Sequence, residues 1–336
     1  MNLVEIGDPG WNDFAASHPD ATLFHHPAWV GLLADCYGYR ALAVTIPGHG
    51  APVIAGAPVM EVASPLGRRR WVSLPFTDHC PPLGAGADLV TALTELGRSR
   101  ALDGIEVRAP LTPGDHVHWT SAHVRHELAL TTDHPRIWAG FNKNHRRNVR
   151  IAERGGVRIV RGSSADDLEV FYKLHLRTRR RLGVPIQPRR FFRLLLDRVL
   201  APGLGFILTA YSGEVPVASA VFGSHNGTLI YKYSARDERY AKLDANYLLL
   251  WSAIQWGCES GHRVFDLGRS DLDQPLLRGF KDGWGAREEP LSYAWIARAP
   301  VKTRARRLDG AMGVVIRNSS PWLCRAVGEL FYKYAG

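Results

Sequence analysis

The segment Asp244 to Ser260, D-A-N-Y-L-L-L-W-S-A-I-Q-W-G-C-E-S, constrains the fold more than any other. Tyr247, Leu248, Leu249, Leu250, Trp251, Ala253, Ile254 and Trp256 leave no continuous polar stripe on a helix. Such a helix has to be buried on almost every side. Strand-like runs precede it at 205–211, 215–222 and 228–234, and others follow at 264–267 and 291–297. The second half therefore reads β-β-β-α-β…β, a mixed sheet with the long helix between its third and fourth strands.

The first half repeats this order. After a short helix from Trp11 and another over 27–37, strands are expected at 41–46, 52–62 and 70–74, a helix at 88–100, and strands at 105–108 and near 124–130. The wording recurs too: H-G-A-P-V-I-A-G at 49–56 resembles S-G-E-V-P-V-A-S at 212–219. Both read as hairpin turns feeding the second strand of a meander. Internal duplication is the economical reading. Between the halves lie one helix through 137–154, a turn and strand in G-G-V-R-I-V, and helices at 165–181 and 188–200; residues 301–336 read as two basic amphipathic helices broken near Ser319-Ser320-Pro321. The element order of each half is that of the GNAT fold. The expected class is α/β with mixed (α+β) sheets: two tandem GNAT-like domains, 1–150 and 151–336, packed as one unit because no low-complexity linker divides them.

With 336 residues the chain has room for two cores. Its opening M-N-L-V-E-I-G-D has neither a basic flank nor an apolar run, and no stretch reaches membrane-span length, so a cytoplasmic protein is expected. Cys36, Cys80, Cys258 and Cys324 are far apart and lack metal-site spacing, which predicts unpaired thiols and no metal centre. The formal charge of +10 concentrates in Lys143, Arg146, Arg147 and Arg150, then in Lys173, Arg177, Arg179, Arg180 and Arg181, then in Arg189, Arg190 and Arg193. Such clusters either form an anion-binding face or merely solvate helices.

Val264 to Gly285 reads V-F-D-L-G-R-S-D-L-D-Q-P-L-L-R-G-F-K-D-G-W-G. A short strand breaks at Gly268-Arg269-Ser270, and Asp273 and Pro275 open a short helix. Leu276, Leu277 and Phe280 have the spacing of a buried stripe, whereas Arg278 and Lys281 share a polar side. Gly283 and Gly285 end the helix in a left-handed turn. A cation on a rigid stub beside an aromatic ring suits stabilisation of a developing anion; a solvated surface lysine is the other reading.

F-D-L-G-R-S followed by G-F-K-D-G-W-G resembles the Fem-type (FemABX) nonribosomal peptidyltransferases. So do W-V-S-L-P-F-T-D-H at 71–79, K-N-H-R-R-N-V-R-I-A-E-R-G-G-V at 143–157, and F-Y-K-L-H-L-R-T-R-R-R-L-G-V-P-I-Q-P-R-R-F-F at 171–192. The resemblance implies tandem GNAT domains that transfer an aminoacyl group from aminoacyl-tRNA to an amine, as in the stem peptide of a peptidoglycan precursor. It places Phe280 and Lys281 at the reaction centre, the lysine stabilising the oxyanion formed when the amine attacks the ester. Asp266, Asp78 and His79 are alternative bases. The chain departs from the family at F-H-H-P-A-W-V-G-L-L, where Leu32 and Leu33 stand near the position of a pyrophosphate-binding cation.

Further contacts to donor or acceptor are expected from Asp78, Arg147, Arg177, Arg181, Gln187, Tyr233 and Arg269. Tyr231 and Tyr233 are expected on one sheet face, alternating with Lys232. No resident cofactor is expected. The turn before the long helix, S-A-R-D-E-R-Y-A-K-L-D-A-N, lacks the glycines by which ordinary GNATs hold the pyrophosphate of acetyl-CoA. The expected partners are thus aminoacyl-tRNA and an amine-bearing peptide or cell-wall precursor, with peripheral proximity to a membrane. An acyl-CoA-dependent N-acyltransferase for an amino sugar or polysaccharide precursor and a non-catalytic nucleic-acid-binding module are the alternatives.

Overall fold

In the computed structural model, residues 1–48, 52–63, 69–84, 86–114, 116–298 and 307–334 are described. They form two compact units, one of residues 1–124 and 289–298, the other of residues 125–288 and 307–334. These units do not follow the 1–150 and 151–336 division. Residues 125–150 belong with the second unit because the helix Lys143–Arg154 packs on the buried helix Ala245–Glu259. Residues 289–298 belong with the first because Ala294, Trp295 and Ile296 pair with Val107, Glu106 and Ile105.

The chain begins with β1 (Asn2–Glu5), α1 (Pro9–Ser17), α2 (Pro27–Tyr37), β2 (Arg40–Pro47), β3 (Val53–Ala63), β4 (Arg69–Val72), β5 (Leu83–Gly84), α3 (Gly86–Ser99), β6 (Ile105–Val107) and β7 (Val117–Ala129). It continues with α4 (His134–Gly140), α5 (Lys143–Arg154), β8 (Val157–Gly162), α6 (Ala165–Leu182), α7 (Arg189–Leu195), β9 (Gly205–Ser212), β10 (Val215–His225), β11 (Thr228–Arg236), α8 (Ala245–Glu259), β12 (Val264–Asp271), α9 (Pro275–Asp282), β13 (Arg287–Ile296), α10 (Arg307–Asn318) and α11 (Pro321–Phe331).

The two units share one plan. In the first, β2, β3 and β4 form an antiparallel meander, and α3 crosses over to β6, which pairs parallel with β4. In the second, β9, β10 and β11 form the meander, and α8 crosses over to β12, which pairs parallel with β11. The duplicated order is therefore present, although residues 49–51 of the repeated wording lie outside the described residues. Leu89, Leu93 and Leu96 of α3 cover Leu42, Val44, Ala57 and Val59 in the first core. In the second, α8 is buried as expected, with Trp251 against the rings of Trp138 and Phe141 at 5.0 and 5.4 Å.

Three local features depart from the sequence reading. The helix expected through 137–154 is two helices. Asn142 is extended (φ −65°, ψ 160°) and caps α5, its Oδ1 accepting from the backbone N–H of His145 at 2.7 Å. Tyr231 and Tyr233 do not share a face. The β10–β11 register slips between Val221 and Phe222, which face Tyr233 and Tyr231, so a bulge at Lys232 turns the alternation over. Tyr231 packs on Phe222, and Tyr233 packs on Phe191 and His175. Finally, β11 and β12 pair only at Thr228–Val264, Leu229–Phe265 and Ile230–Asp266, yet run on to Arg236 and Asp271. Past Ile230 the strands part and leave a wedge at the carboxyl end of a parallel pair, the usual place for a ligand in such sheets.

Candidate active site

Two of the cavities in the second unit are divided by one pair of rings. A chamber of about 80 Å³ is lined by Val217, Ala218, Asp237, Tyr240, Asp244, Tyr247 and Phe280, among others. An open cavity of about 520 Å³ is lined by Asn142, Asn144, His145, Arg147, Asn148, Tyr247, Leu276, Gly279 and Phe280. Tyr247 and Phe280, edge to face at 5.4 Å, line both. Tyr247 occupies the first turn of α8, and α9 carries Phe280 beside the parted strands.

The faces of α9 are the reverse of the sequence reading. Leu276 is 91% exposed and Leu277 is exposed, whereas Lys281 is 3% exposed. The Lys281 ammonium donates to the carbonyls of Gly268 at 2.8 Å and Arg269 at 2.9 Å. Successive carbonyls of a strand normally point to opposite sides. A positive φ of 72° at Gly268 brings these two together, and Asp266 fixes the bend by accepting from the Gly268 N–H at 2.7 Å. A buried cation needs such oxygens, and two carbonyls of β12 supply them. Phe280 thus lines both cavities, and Lys281, under the helix, lines neither. Two smaller expectations also fail. Gln274, not Asp273, stands at the cap position, without a side-chain capping bond. Gly283 is right-handed (φ −59°), so only Gly285 takes the left-handed turn, at φ 72°.

His145, which the sequence reading did not single out, locks α5 to α9. Its Nε2 lies 2.8 Å from the Phe280 carbonyl and its Nδ1 2.9 Å from Asn142 Oδ1, while the backbone N–H of Asn142 donates to the Gly283 carbonyl at 2.9 Å. Both ring nitrogens face oxygen acceptors, so a neutral ring satisfies only one. Burial pushes the His145 pKa down, and the Phe280 carbonyl opposes that. The signal in the sequence was Asn142 three residues before His145, a capping pair at a helix start.

A second brace holds the far side of α9. His126 is fully buried, with Nε2 3.1 Å from both Asp282 Oδ1 and Glu288 Oε2. Burial first, then the Lys281 charge, lower its pKa. These three residues could in principle meet a cation. Arg278, however, already takes both Glu288 oxygens at 2.7 and 2.8 Å, and Lys281 adds a positive charge nearby, so the trio serves as a hydrogen-bonded brace anchored by the Arg278–Glu288 ion pair.

The other expected site residues are dispersed. Arg147 lines the larger cavity with Phe280. Arg269 contributes a backbone carbonyl to Lys281 and lies 3.9 Å from Asp271. Arg177 pairs with Asp237 at 3.1 Å and Arg181 with Glu238 at 3.0 Å, both along a cleft on α6. Gln187 is buried, its Oε1 3.2 Å from His175 Nε2, and Tyr233 packs on that same histidine, so both serve the core. Asp78 belongs to the first unit, where its carbonyl accepts from the Tyr293 hydroxyl at 2.7 Å. No disulfide joins the four cysteines.

Residues 139–281 match the family described as Acetyltransferase (GNAT) domain. Among solved structures, FemX superposes with a TM-score of 0.70 at 14% identity, over 89% of this chain and 98% of that one. The structure of L-PGS from Bacillus licheniformis matches with a TM-score of 0.55 at 14% identity, over 94% and 98% of the two chains. A tandem GNAT protein from the clavulanic acid biosynthesis pathway matches at 0.52 and 12% identity, over 90% and 99%. No curated protein matches by sequence. The chain therefore has a tandem GNAT fold like that of FemX, and its residues 139–281 form the acetyltransferase (GNAT) domain. No described helix is long and apolar enough to cross a membrane.

Proposed function

We propose that this chain transfers an aminoacyl group from aminoacyl-tRNA to the amine of a peptide-like acceptor, either a peptidoglycan precursor or a related metabolite. The observation that carries the reading is the position of Arg147. It lines the Phe280 cavity and also a basic groove of about 720 Å³ along α5, with Lys143, Arg146, Arg150 and Arg154. A polyanion lying along α5 would bring its end to the Tyr247–Phe280 pair. The turn before α8 weighs against acyl-CoA, because it holds no glycine to bring backbone N–H groups up to a pyrophosphate, and Asp244 stands at the start of the helix. Asp244, in a chamber of about 80 Å³ where Asp237 is already paired with Arg177 and Arg239, suits a small group bearing an ammonium.

In the proposed reaction the acceptor amine attacks the ester carbonyl. The new C–N bond forms, the ester C–O bond breaks, and the ribose oxygen leaves with a proton lost by the amine. The buried charge of Lys281, one residue from Phe280, stabilises the anionic intermediate through space. Phe280 excludes water and separates donor end from acceptor. The test is transfer of labelled amino acid from charged tRNA to candidate amines, with and without ribonuclease. Product that vanishes with ribonuclease supports the reading. Ribonuclease-insensitive turnover with an acyl-CoA replaces it with the amino-sugar N-acyltransferase alternative. RNA binding unaccompanied by any transfer supports a binding module.

A further inference from the structure

One stripe of α6 carries Lys173, Arg177, Arg180 and Arg181, at spacings that stack along a helix. With Arg317 of α10 and Pro321 of α11 these residues line a cleft of about 440 Å³. The acids beside it are each shared by two cations. Glu169 meets Lys173 at 3.8 Å and Arg189 at 2.7 Å. Asp237 meets Arg177 at 3.1 Å and Arg239 at 2.6 Å, and Glu238 meets Arg181 at 3.0 Å and Arg236 at 2.9 Å. Arg180 and Arg317 add further positive charge, so the cleft is cationic and suits phosphate.

Exposed apolar side chains neighbour the cleft's lining residues along the same helices. Leu182 follows Arg181, Val314 precedes Arg317 by one turn, and Trp322 follows Pro321, at 50%, 52% and 70% exposure. Val315, Leu330 and Phe331 extend this surface over α10 and α11. These side chains are not what holds the two helices to the body. Gly313 packs directly on Gly183, where a Cβ would come to 3.2 Å from the Gly183 carbonyl oxygen, and Gly328 approaches the Ile186 carbonyl so closely that it has no room for a Cβ. Cations that reach phosphate, neighboured by aliphatic side chains and a tryptophan, form the pattern of an interfacial surface. RNA would satisfy the cations but leave Leu182, Val314 and Val315 in water, because aliphatic side chains offer no face for base stacking.

We infer that the face formed by α6, α10 and α11 docks on an anionic phospholipid bilayer, its cleft holding lipid phosphates and its exposed apolar side chains entering the interfacial layer. This does not depend on the identity of the donor. The test uses the full chain sedimented with vesicles of phosphatidylcholine, alone or mixed with phosphatidylglycerol, alongside RNA binding measured on the same preparations. Binding is expected to the mixed vesicles only and to weaken with salt. At about 1 kcal/mol for each cation near such a surface, Lys173→Gln with Arg317→Gln should lower partitioning roughly 30-fold. Trp322→Ser should lower it roughly tenfold, in line with the loss of one buried aromatic. All three side chains are exposed, so circular dichroism should be unchanged. Arg147→Ala, in the α5 groove, should leave vesicle binding intact. Absent binding, equal binding to both vesicle types, or variants that lose RNA binding while keeping vesicle binding would overturn the inference.

Discussion

Lys281 carries two burdens that one substitution can separate. Its ammonium satisfies the Gly268 and Arg269 carbonyls, and its charge lies one residue from Phe280. Lys281→Met keeps the stem but leaves two buried carbonyls short of a donor, so unfolding free energy should fall by roughly 1–3 kcal/mol. Transfer by the folded fraction should fall further, by about 100-fold. Chemical denaturation and single-turnover rates measured together distinguish the two burdens. A rate unchanged per folded molecule would reduce Lys281 to a clamp. Asp244 gives the opposite case. Burial raises its pKa, against the attraction of Arg147 and Arg236. A raised carboxyl pKa means the ionised form destabilises the fold, a cost absent below about pH 4 and present above the folded-state value. Asp244→Asn tolerates the same left-handed backbone (φ 50°) and should stabilise the protein at neutral pH. If the carboxylate holds the donor ammonium, this variant should also lose its preference for aminoacyl over N-acetylaminoacyl esters, read as a ratio of kcat/KM values.

At the scale of elements, the site depends on how α5 meets α9. A Cβ on Gly283 would run into the His145 ring and lie 2.6 Å from Asn142 Nδ2. Gly283 has ordinary helical backbone angles, so Gly283→Ala tests this contact and nothing else nearby. It should destabilise by about 1–3 kcal/mol through overpacking and speed amide exchange over Pro275–Asp282. Unchanged exchange there would show that α9 stands without the lock. This junction was also where the sequence was least legible. The buried α8 and the meander-helix-strand order were readable because long apolar runs and turn residues report them locally. The eight residues of α9 offer few points for a periodicity, and its faces were inverted because a remote bend at Gly268 makes a buried lysine possible. The Asn142 cap and the bulge at Lys232 likewise turn on one residue each. Of the site, Phe280, Arg147 and the glycine-free turn before α8 were visible in the residue order. His145 and His126 emerge only once α9 is packed between them.

For the whole molecule, histidine burial sets the response to acid. His26, His126, His145, His175 and His262 all have lowered pKa values, with burial the leading cause in each, and His175 is brought down to about 3. The native state then binds fewer protons than the unfolded chain once the pH drops below about 6.5, so stability falls as pH falls. Each such histidine contributes up to about 1.4 kcal/mol per pH unit until its folded-state pKa is reached. His26 shows why in atomic terms: its Nδ1 accepts from the Ala28 N–H at 3.1 Å to cap α2, a bond that protonation abolishes. The Arg-paired carboxylates Asp237 and Glu238 have lowered pKa values as well, but their contribution is lost only below about pH 4. A decline beginning near pH 6.5 therefore belongs to the histidines. Four of the five lie in the second unit, whose amide exchange should accelerate steeply between pH 7 and pH 5 after correction for intrinsic rates. His175→Gln should be less stable at pH 7 yet lose less on acidification, because the ring nitrogen that meets Gln187 is replaced by an amide that does not titrate. Urea midpoints for both proteins at pH 7.5, 6 and 5 measure that slope, and parallel slopes would remove His175 from the account.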